Sequence, residues 1–331
     1  MELYRVGVSP HIRHEDTTRS LMLDVSIALL PAALWGIYVF GLRALVILLT
    51  ALFFCLFFDF IFRRGFQNQG SVKDASAVVS GMLLALFLPV SVPLWIVPLG
   101  AFFAMLVKQL FGGLGKNFLN PVLSAKAFLL LSFPLIMTRF TLPFSYLSPF
   151  TLRLSDSAVK SALISSPLQK LQQGEEVAFS LSELFSGTIP GCIGEISALL
   201  LLAGMVYLLV RHVISFHIPL TFVGTAALLF FLFPKGDNAL LYMTQSLLSG
   251  SLFLGAIFMA TDPVTSPVTT GGKLLFGFLC GALTFLLRRF STAEEAVVFA
   301  ILTAELFVPY LDRIFRPRPY GIQKRKKEVA V

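Results

Sequence analysis

Apolar runs of about 17–20 residues recur along the chain, each long enough to cross a hydrocarbon layer of about 30 Å as a helix. Short polar stretches separate them. The pattern predicts about ten spans, at roughly 23–42, 44–62, 75–92, 94–111, 122–138, 195–211, 216–233, 239–259, 273–288 and 295–312. One long polar segment, 139–194, is rich in Ser and Leu, and its part 155–173 reads as an amphipathic surface helix. It divides the chain into an amino-terminal segment (1–22), a first five-helix repeat (23–138), the polar segment itself, a second five-helix repeat (195–312) and a basic tail (313–331). An odd number of spans per half requires the second half to enter the membrane upside down, the arithmetic behind inverted repeats. The expected fold is therefore an all-α polytopic membrane protein, with about ten transmembrane helices in two inverted five-helix repeats.

Composition supports this class. Of 331 residues, 56% are hydrophobic and 13% charged, against about 25% charged in soluble domains. The first 20 residues, MELYRVGVSPHIRHEDTTRS, have no apolar core, so the first span is expected to act as its own insertion signal. The net charge of +8 is read as a topology signal rather than a nucleic-acid surface. Arg5, Arg13, Arg19, Arg63, Arg64, Lys73, Lys116, Arg211, Lys273 and the tail from Arg313 fall on one side if both termini are cytoplasmic. Arg288 and Arg289 are the exceptions. The same count places 139–194 outside.

Two polar interruptions break the apolar pattern: FGGLGKNFLNPVL (111–123) and FMATDPVTSPVTTGGK (258–273). They read as matched features of the two halves. Irregular backbone at membrane depth is tolerated only where protein or a cavity satisfies its N–H and C=O groups. Pro121, Pro263 and Pro267 lack an N–H, and Gly112, Gly113 and Gly115 admit close approach. Asn117, Asn120, Thr261, Asp262, Thr265 and Thr269 supply amide, carboxylate and hydroxyl partners. Two readings stay open: a lined cavity for an ion or a flavin ring, or two cytoplasmic loops in which Asn120 and Asp262 cap the next helix. Few acids lie in or near spans, namely Asp24, Asp59, Glu195, Glu305 and Asp312. Such acids hint at ion or proton traffic. Asp24, Asp59 and Asp312 sit near span ends, where they can face water; Glu305 is the deepest, as an ion-path acid or a structural one. Cys55, Cys192 and Cys280 are far apart, and no Cys/His cluster offers a zinc or four-cysteine iron–sulfur site.

FMATDPVTSPVTTGGKLLFG (258–277) closely resembles a signature segment of the D subunits of Rnf complexes. The related B subunits of Na⁺-translocating NADH:quinone oxidoreductases carry a similar segment. SPHIRHEDTTRSLMLDVSIALLPA, DASAVVSGMLLALFLP (74–89), GGLGKNFLNPVLSAKAFLL (112–130), GCIGEISALLLLAGMVYLL (191–209) and RPRPYG (316–321) follow in family order, over nearly the whole chain. The resemblance implies a ten-span, two-repeat subunit of a bacterial inner-membrane complex. That complex would pass electrons between ferredoxin and NAD⁺ while moving Na⁺ or H⁺, with the other Rnf subunits as partners. No Rossmann fingerprint or iron–sulfur cysteine set is present, so the chain reads as one subunit rather than a complete enzyme, with no catalytic or metal-ligating residue assigned. The alternative is a solute channel or transporter of the same inverted-repeat design.

In that family the D-type chain carries FMN on a threonine hydroxyl of the outer segment, in a motif ending Thr-Pro-Leu. This chain has no threonine between Thr151 and Thr188. Ser166, in Ser165-Ser166-Pro167-Leu168, stands at the acceptor position; Ser186-Gly187-Thr188 looks like a displaced remnant. Covalent FMN on Ser166, flavin held non-covalently, and electron passage without this group all stay open. The interruptions are the place for a second, non-covalent flavin or an ion, with Asn117, Asn120, Thr261, Asp262 and Thr265 as contacts.

Overall fold

Thr17 and Ser20 exchange hydroxyl and N–H hydrogen bonds in a capping box that opens the first helix, α1 (Thr18–Phe40). Gly41, at φ +76°, closes it. The computed structural model describes residues 17–66, 74–113, 115–146, 163–174, 179–235, 238–291 and 295–316. In the first half, α1 is followed by α2 (Leu42–Phe66), α3 (Ser76–Leu86), α4 (Ile96–Leu110), α5 (Pro121–Ser132) and the short α6 (Pro134–Met137). Between the halves lie β1 (Phe140–Thr141), β2 (Leu163–Ile164), α7 (Pro167–Gln173) and α8 (Leu181–Ser186); β1 and β2 pair antiparallel, Phe140 opposite Ile164. The second half holds α9 (Ala198–Val210), α10 (His217–Leu232), α11 (Ala239–Leu248), α12 (Leu252–Met259), α13 (Thr270–Phe290), α14 (Ala296–Leu306) and α15 (Val308–Ile314).

Among the described residues three helices are long and apolar enough to cross a membrane alone: α1, α2 through Gly65, and α13. The pair α11 and α12 makes a fourth if its 62° bend is one broken span. The structure thus shows a helical membrane protein with several short apolar helices, whereas the apolar pattern predicted unbroken spans at 75–92 and 239–259. The difference has a physical cause. Helix α3 ends at Leu86, about 16 Å from its start, and the chain runs on without regular helix through Pro89 and Pro93 to Trp95. All of those residues but Ser91 are apolar, so hydropathy alone does not register the break. The expected surface helix over 155–173 is seen only as α7; residues 155–162 lie outside the described residues.

Buried cations satisfy the broken backbone. Arg43, fully buried, donates to the carbonyls of Val90 and Val92 at 2.8 and 2.7 Å. Lys126 on α5, also fully buried, donates to Phe87 O. The segment 192–194 lies alongside, with Gly194 N–H on Leu86 O at 2.9 Å and Ile193 N–H on Leu88 O at 3.1 Å. In the second half Arg288 donates to the carbonyls of Ser246 and Ser249 at the bend between α11 and α12. This explains the charge that broke the sidedness count: Arg288 is buried at the end of α13, not a loop residue.

In the first half α2 packs on α3 and α4, and α4 on α5; in the second α10 packs on α13, and α13 on α14. The seam between halves includes α1 on α9, where Tyr207 donates to Asp24 at 2.8 Å and Arg211 pairs with the same carboxylate at 3.3 Å. The first polar interruption follows the fourth main helix of its half, while the second precedes the fourth main helix of its own. The two are therefore not equivalent in position, as their reading as matched features required. The α10–α13 contact rests on Gly277 and Gly281, four residues apart. A Cβ on Gly281 would lie 2.7 Å from Phe222 O, and one on Gly277 would collide with Thr221 Oγ1. This is the small-residue packing of membrane helices. Gly277→Leu is expected to lower stability by about 1–3 kcal/mol through overpacking, read as an earlier thermal unfolding transition in detergent.

Candidate functional site: a cavity where the two interruptions meet

The interruptions are built from residues that must turn the chain. Gly112, Gly113 and Gly115 all have φ near +90°, the left-handed region open to glycine. Gly112 and Gly113 donate to the carbonyls of Gln109 and Lys108, closing α4. Asn120 then caps α5: its Oδ1 accepts the N–H groups of Val122 at 3.0 Å and Leu123 at 3.3 Å, with Pro121 at the first helical position. In the second interruption the last turn of α12, Gly255–Met259, is π-helical, a widened turn common at functional sites. Thr261 donates to Ile257 O, and Asp262 Oδ1 accepts Val264 N–H at 3.3 Å. Thr269 caps α13 by accepting Gly272 N–H at 3.2 Å.

The two segments meet. Asn120 Nδ2 approaches Asp262 Oδ2 at 3.4 Å, and Asn120 N–H donates to Glu305 Oε2 at 2.8 Å. Thr265 is buried close to the same two carboxylates. Asn120 is thus both the cap of α5 and a contact across the two interruptions. Glu305 is fully buried at the last turn of α14, and its Oε1 has no hydrogen-bond partner among the described residues; neither has Asn117 Oδ1. A cavity of about 110 Å³ lies here, with Lys108, Asn117, Asn120, Thr261 and Asp262 on its polar side and α1 and α12 side chains on its apolar side. Thr265 lies beside the carboxylates, outside the cavity lining.

Lys108 was not singled out by sequence reasoning. It is held in the cavity wall by Asp59 Oδ1 at 3.1 Å and Ser76 Oγ at 2.7 Å. Asp59 also accepts from Arg63 Nε at 2.7 Å and Gln109 Nε2 at 2.9 Å, and Arg63 pairs onward with Asp74 at 2.7 Å. Asp59 sits near a span end, where the sequence allows it to face water; it is fully buried instead, because donors from both α2 and α4 converge on its carboxylate. Asp24 is likewise buried in the α1–α9 seam, while Asp312 accepts Val268 N–H at 3.1 Å. Burial pushes the Asp74 carboxyl up, but the hydrogen bond from Arg63 and the charges of Lys108 and Arg63 outweigh it and hold the group below the ordinary carboxylate range.

The cavity suits a partly hydrated cation. Its polar side offers carboxylate, amide and hydroxyl oxygens, the donor set of hard monovalent and divalent ions, and it has room for a few waters. Ser166 lies elsewhere. It is the N-cap of α7, 7% exposed, accepting Gln169 N–H at 3.1 Å while its own N–H donates to Gln169 Oε1 at 2.9 Å. Replacing the Ser166 hydroxyl hydrogen by a phosphoester leaves Oγ its acceptor role in the cap, so the side chain's burial is what stands against it; the adjoining Ser165 is exposed.

Residues 5–321 match the NQR2, RnfD, RnfE family. The chain is 39% identical to the D subunit of the Na(+)-translocating ferredoxin:NAD(+) oxidoreductase complex of Acetobacterium woodii, over 98% of this chain and 97% of that one. It is 37% identical to the D subunit of the ion-translocating oxidoreductase complex of Stutzerimonas stutzeri, over 94% of each. With the D subunit of the proton-translocating ferredoxin:NAD(+) oxidoreductase complex of Clostridium ljungdahlii it shares 31% identity over 97% of each. Similarity of this extent, spanning both interruptions and both halves, places the chain in the NQR2, RnfD, RnfE family.

Proposed function

We propose that the chain is the D-type subunit of an Rnf-like bacterial complex that couples ferredoxin:NAD⁺ electron transfer to cation translocation, and that the cavity at Asn120 and Asp262, beside the buried Glu305, lies on the cation path. The observation that carries the reading is the near full-length similarity to subunits of that name. The meeting of two polar interruptions around buried carboxylates gives it a location. Relatives named for Na⁺ and for protons both match, and the oxygen-rich cavity accommodates either. The partners are other subunits, which supply the NAD-binding and iron–sulfur chemistry this chain lacks the motifs for.

The membrane arrangement belongs to the same proposal: ten crossings in two inverted five-helix repeats, both termini cytoplasmic, and 139–194 on the outer face. Recurring packing supports it, the second main helix of each half lying on the fourth and the fourth on the fifth, with a broken third segment in both. FMN on Ser166 is the remaining element, supported by the Pro167-Leu168 that follows and opposed by the capped, buried hydroxyl.

Affinity purification of the tagged chain from its own membranes tests the assignment. It should bring down flavin-bearing and iron–sulfur subunits; a chain that purifies alone would favour the channel or transporter reading. On a denaturing gel of the same material, flavin fluorescence lost in Ser166→Ala would place FMN there. A band that persists in the variant excludes this site, and no band in the parent excludes covalent flavin.

A further inference from the structure

A second buried cluster lies in the seam, farther along α5 and α14 from the contact between Asn120 and Glu305. Asn120 caps α5, which carries Lys126 at its middle; α14 begins beside Glu295 and carries Glu305 in its last turn, ten residues or about 15 Å away. Lys126 Nζ pairs with Glu295 Oε1 at 3.1 Å. Ser251 Oγ donates to Glu295 Oε2 at 2.8 Å, and the Cys192 thiol approaches Oε1 at 3.5 Å. Glu195 completes the group. Its Oε1 accepts Cys192 N–H at 3.0 Å, and a carboxylate oxygen of each glutamate lies with Cys192 Sγ within 4.8 Å.

Glu195 is the anomaly. It is 7% exposed, and its Oε2 is buried with no hydrogen-bond partner among the described residues. No lysine or arginine among them makes a salt bridge with it. The one ammonium in the cluster, Lys126, is paired with Glu295. The nearest guanidinium, Arg288, spends its terminal nitrogens on the carbonyls of Ser246 and Ser249 and lies over the Phe230 ring. The charged and titratable groups around the two carboxylates are thus Lys126 from α5, Cys192 from the 187–197 segment and Arg288 from α13, with Tyr242 of α11 beside Arg288. An ionised carboxylate buried without a direct cation or a full set of donors is strongly unfavourable. A bound metal ion needs room for several oxygen ligands, and Lys126 already fills the position between Glu295 and Phe87 O. A proton needs no room.

We propose that Glu195 holds one exchangeable proton and, with Glu295 and Lys126, forms a proton-binding station in the seam between the two halves. With the proton on Glu195 the cluster is one ion pair beside a neutral acid. Release of that proton leaves two carboxylates to share the single Lys126 ammonium, which links α5 of one half to the start of α14 in the other. The station goes beyond the proposed complex and does not depend on which cation the Asp262 cavity carries.

Infrared difference spectroscopy on the purified full chain, with glutamate side chains isotope-labelled, tests this at neutral pH. The background variant is Glu305→Gln, which removes the other deeply buried glutamate. A labelled carboxylic-acid carbonyl band should remain in Glu305→Gln and shift in D₂O. It should disappear when Glu195→Gln is added and persist with Ser166→Ala. Absence of any protonated-glutamate band in Glu305→Gln overturns the proposal, and this reading needs no variant at Glu195 to fold. A band that vanishes when Na⁺ replaces choline at constant pH also overturns it, because the site would then take a metal cation in place of the proton.

Discussion

Lys126→Met should cost about 3–5 kcal/mol of stability, the typical penalty for removing one member of a buried ion pair. Lys126 is fully buried and Glu295 nearly so, and their contact is 3.1 Å. Methionine matches the volume but leaves Glu295 without its cation and the Phe87 carbonyl, at the break after α3, without its donor. Adding Glu295→Leu removes the stranded charge. The double variant should regain most of the loss, since apolar replacement of a whole buried pair is often neutral. Thermal unfolding in detergent micelles checks both. Equal destabilisation of single and double variants would show that the Phe87 contact, not the ion pair, carries the effect.

Asp59→Leu should be damaging on a similar scale, about 3–5 kcal/mol. Asp59 is fully buried and accepts from Arg63, Lys108 and Gln109 at once. Arg63 retains Asp74, but Lys108 keeps only the Ser76 hydroxyl to offset its charge. Because Lys108 also lines the cavity, the variant should alter the site as well as the fold. Asp59→Asn, which keeps the shape and part of the hydrogen bonding, should fall between. The folded fraction recovered from membranes and the unfolding midpoint measure the series.

The class of the fold is legible because the bilayer is a one-dimensional constraint: a run of apolar residues reports a span without knowledge of its neighbours. The interruptions at 111–123 and 258–273 are legible for the complementary reason, that Gly, Pro, Asn and Thr change the local backbone as well as the polarity. The breaks at 87–95 and 249–251 are harder to see. The first is apolar except for Ser91, and the second is only Ser-Gly-Ser. Pairing across the fold is not local at all. Asn120 and Glu305 meet 185 positions apart, and nothing near Lys126 in the chain points to Glu295. The lone Lys126 within AKAFLLL was a signal that such a partner exists, since a lysine in an apolar span is rare unless paired. Arg288 and Asp59 carried the same signal and were read as boundary charges.

The most direct test of the central claim is the number of cations moved per electron pair by the complex in liposomes, with the D-type chain either parent or Asp262→Asn. Asp262 faces the cavity and Asn120 across the two interruptions, while Ser166, the proposed flavin site, lies elsewhere, on α7. The variant should therefore keep ferredoxin:NAD⁺ electron transfer while cation uptake per NADH falls by about tenfold, the effect of losing roughly 1.4 kcal/mol or more of charge-assisted binding. Uptake per NADH equal to that of the parent would contradict the placement of the cation path through this cavity.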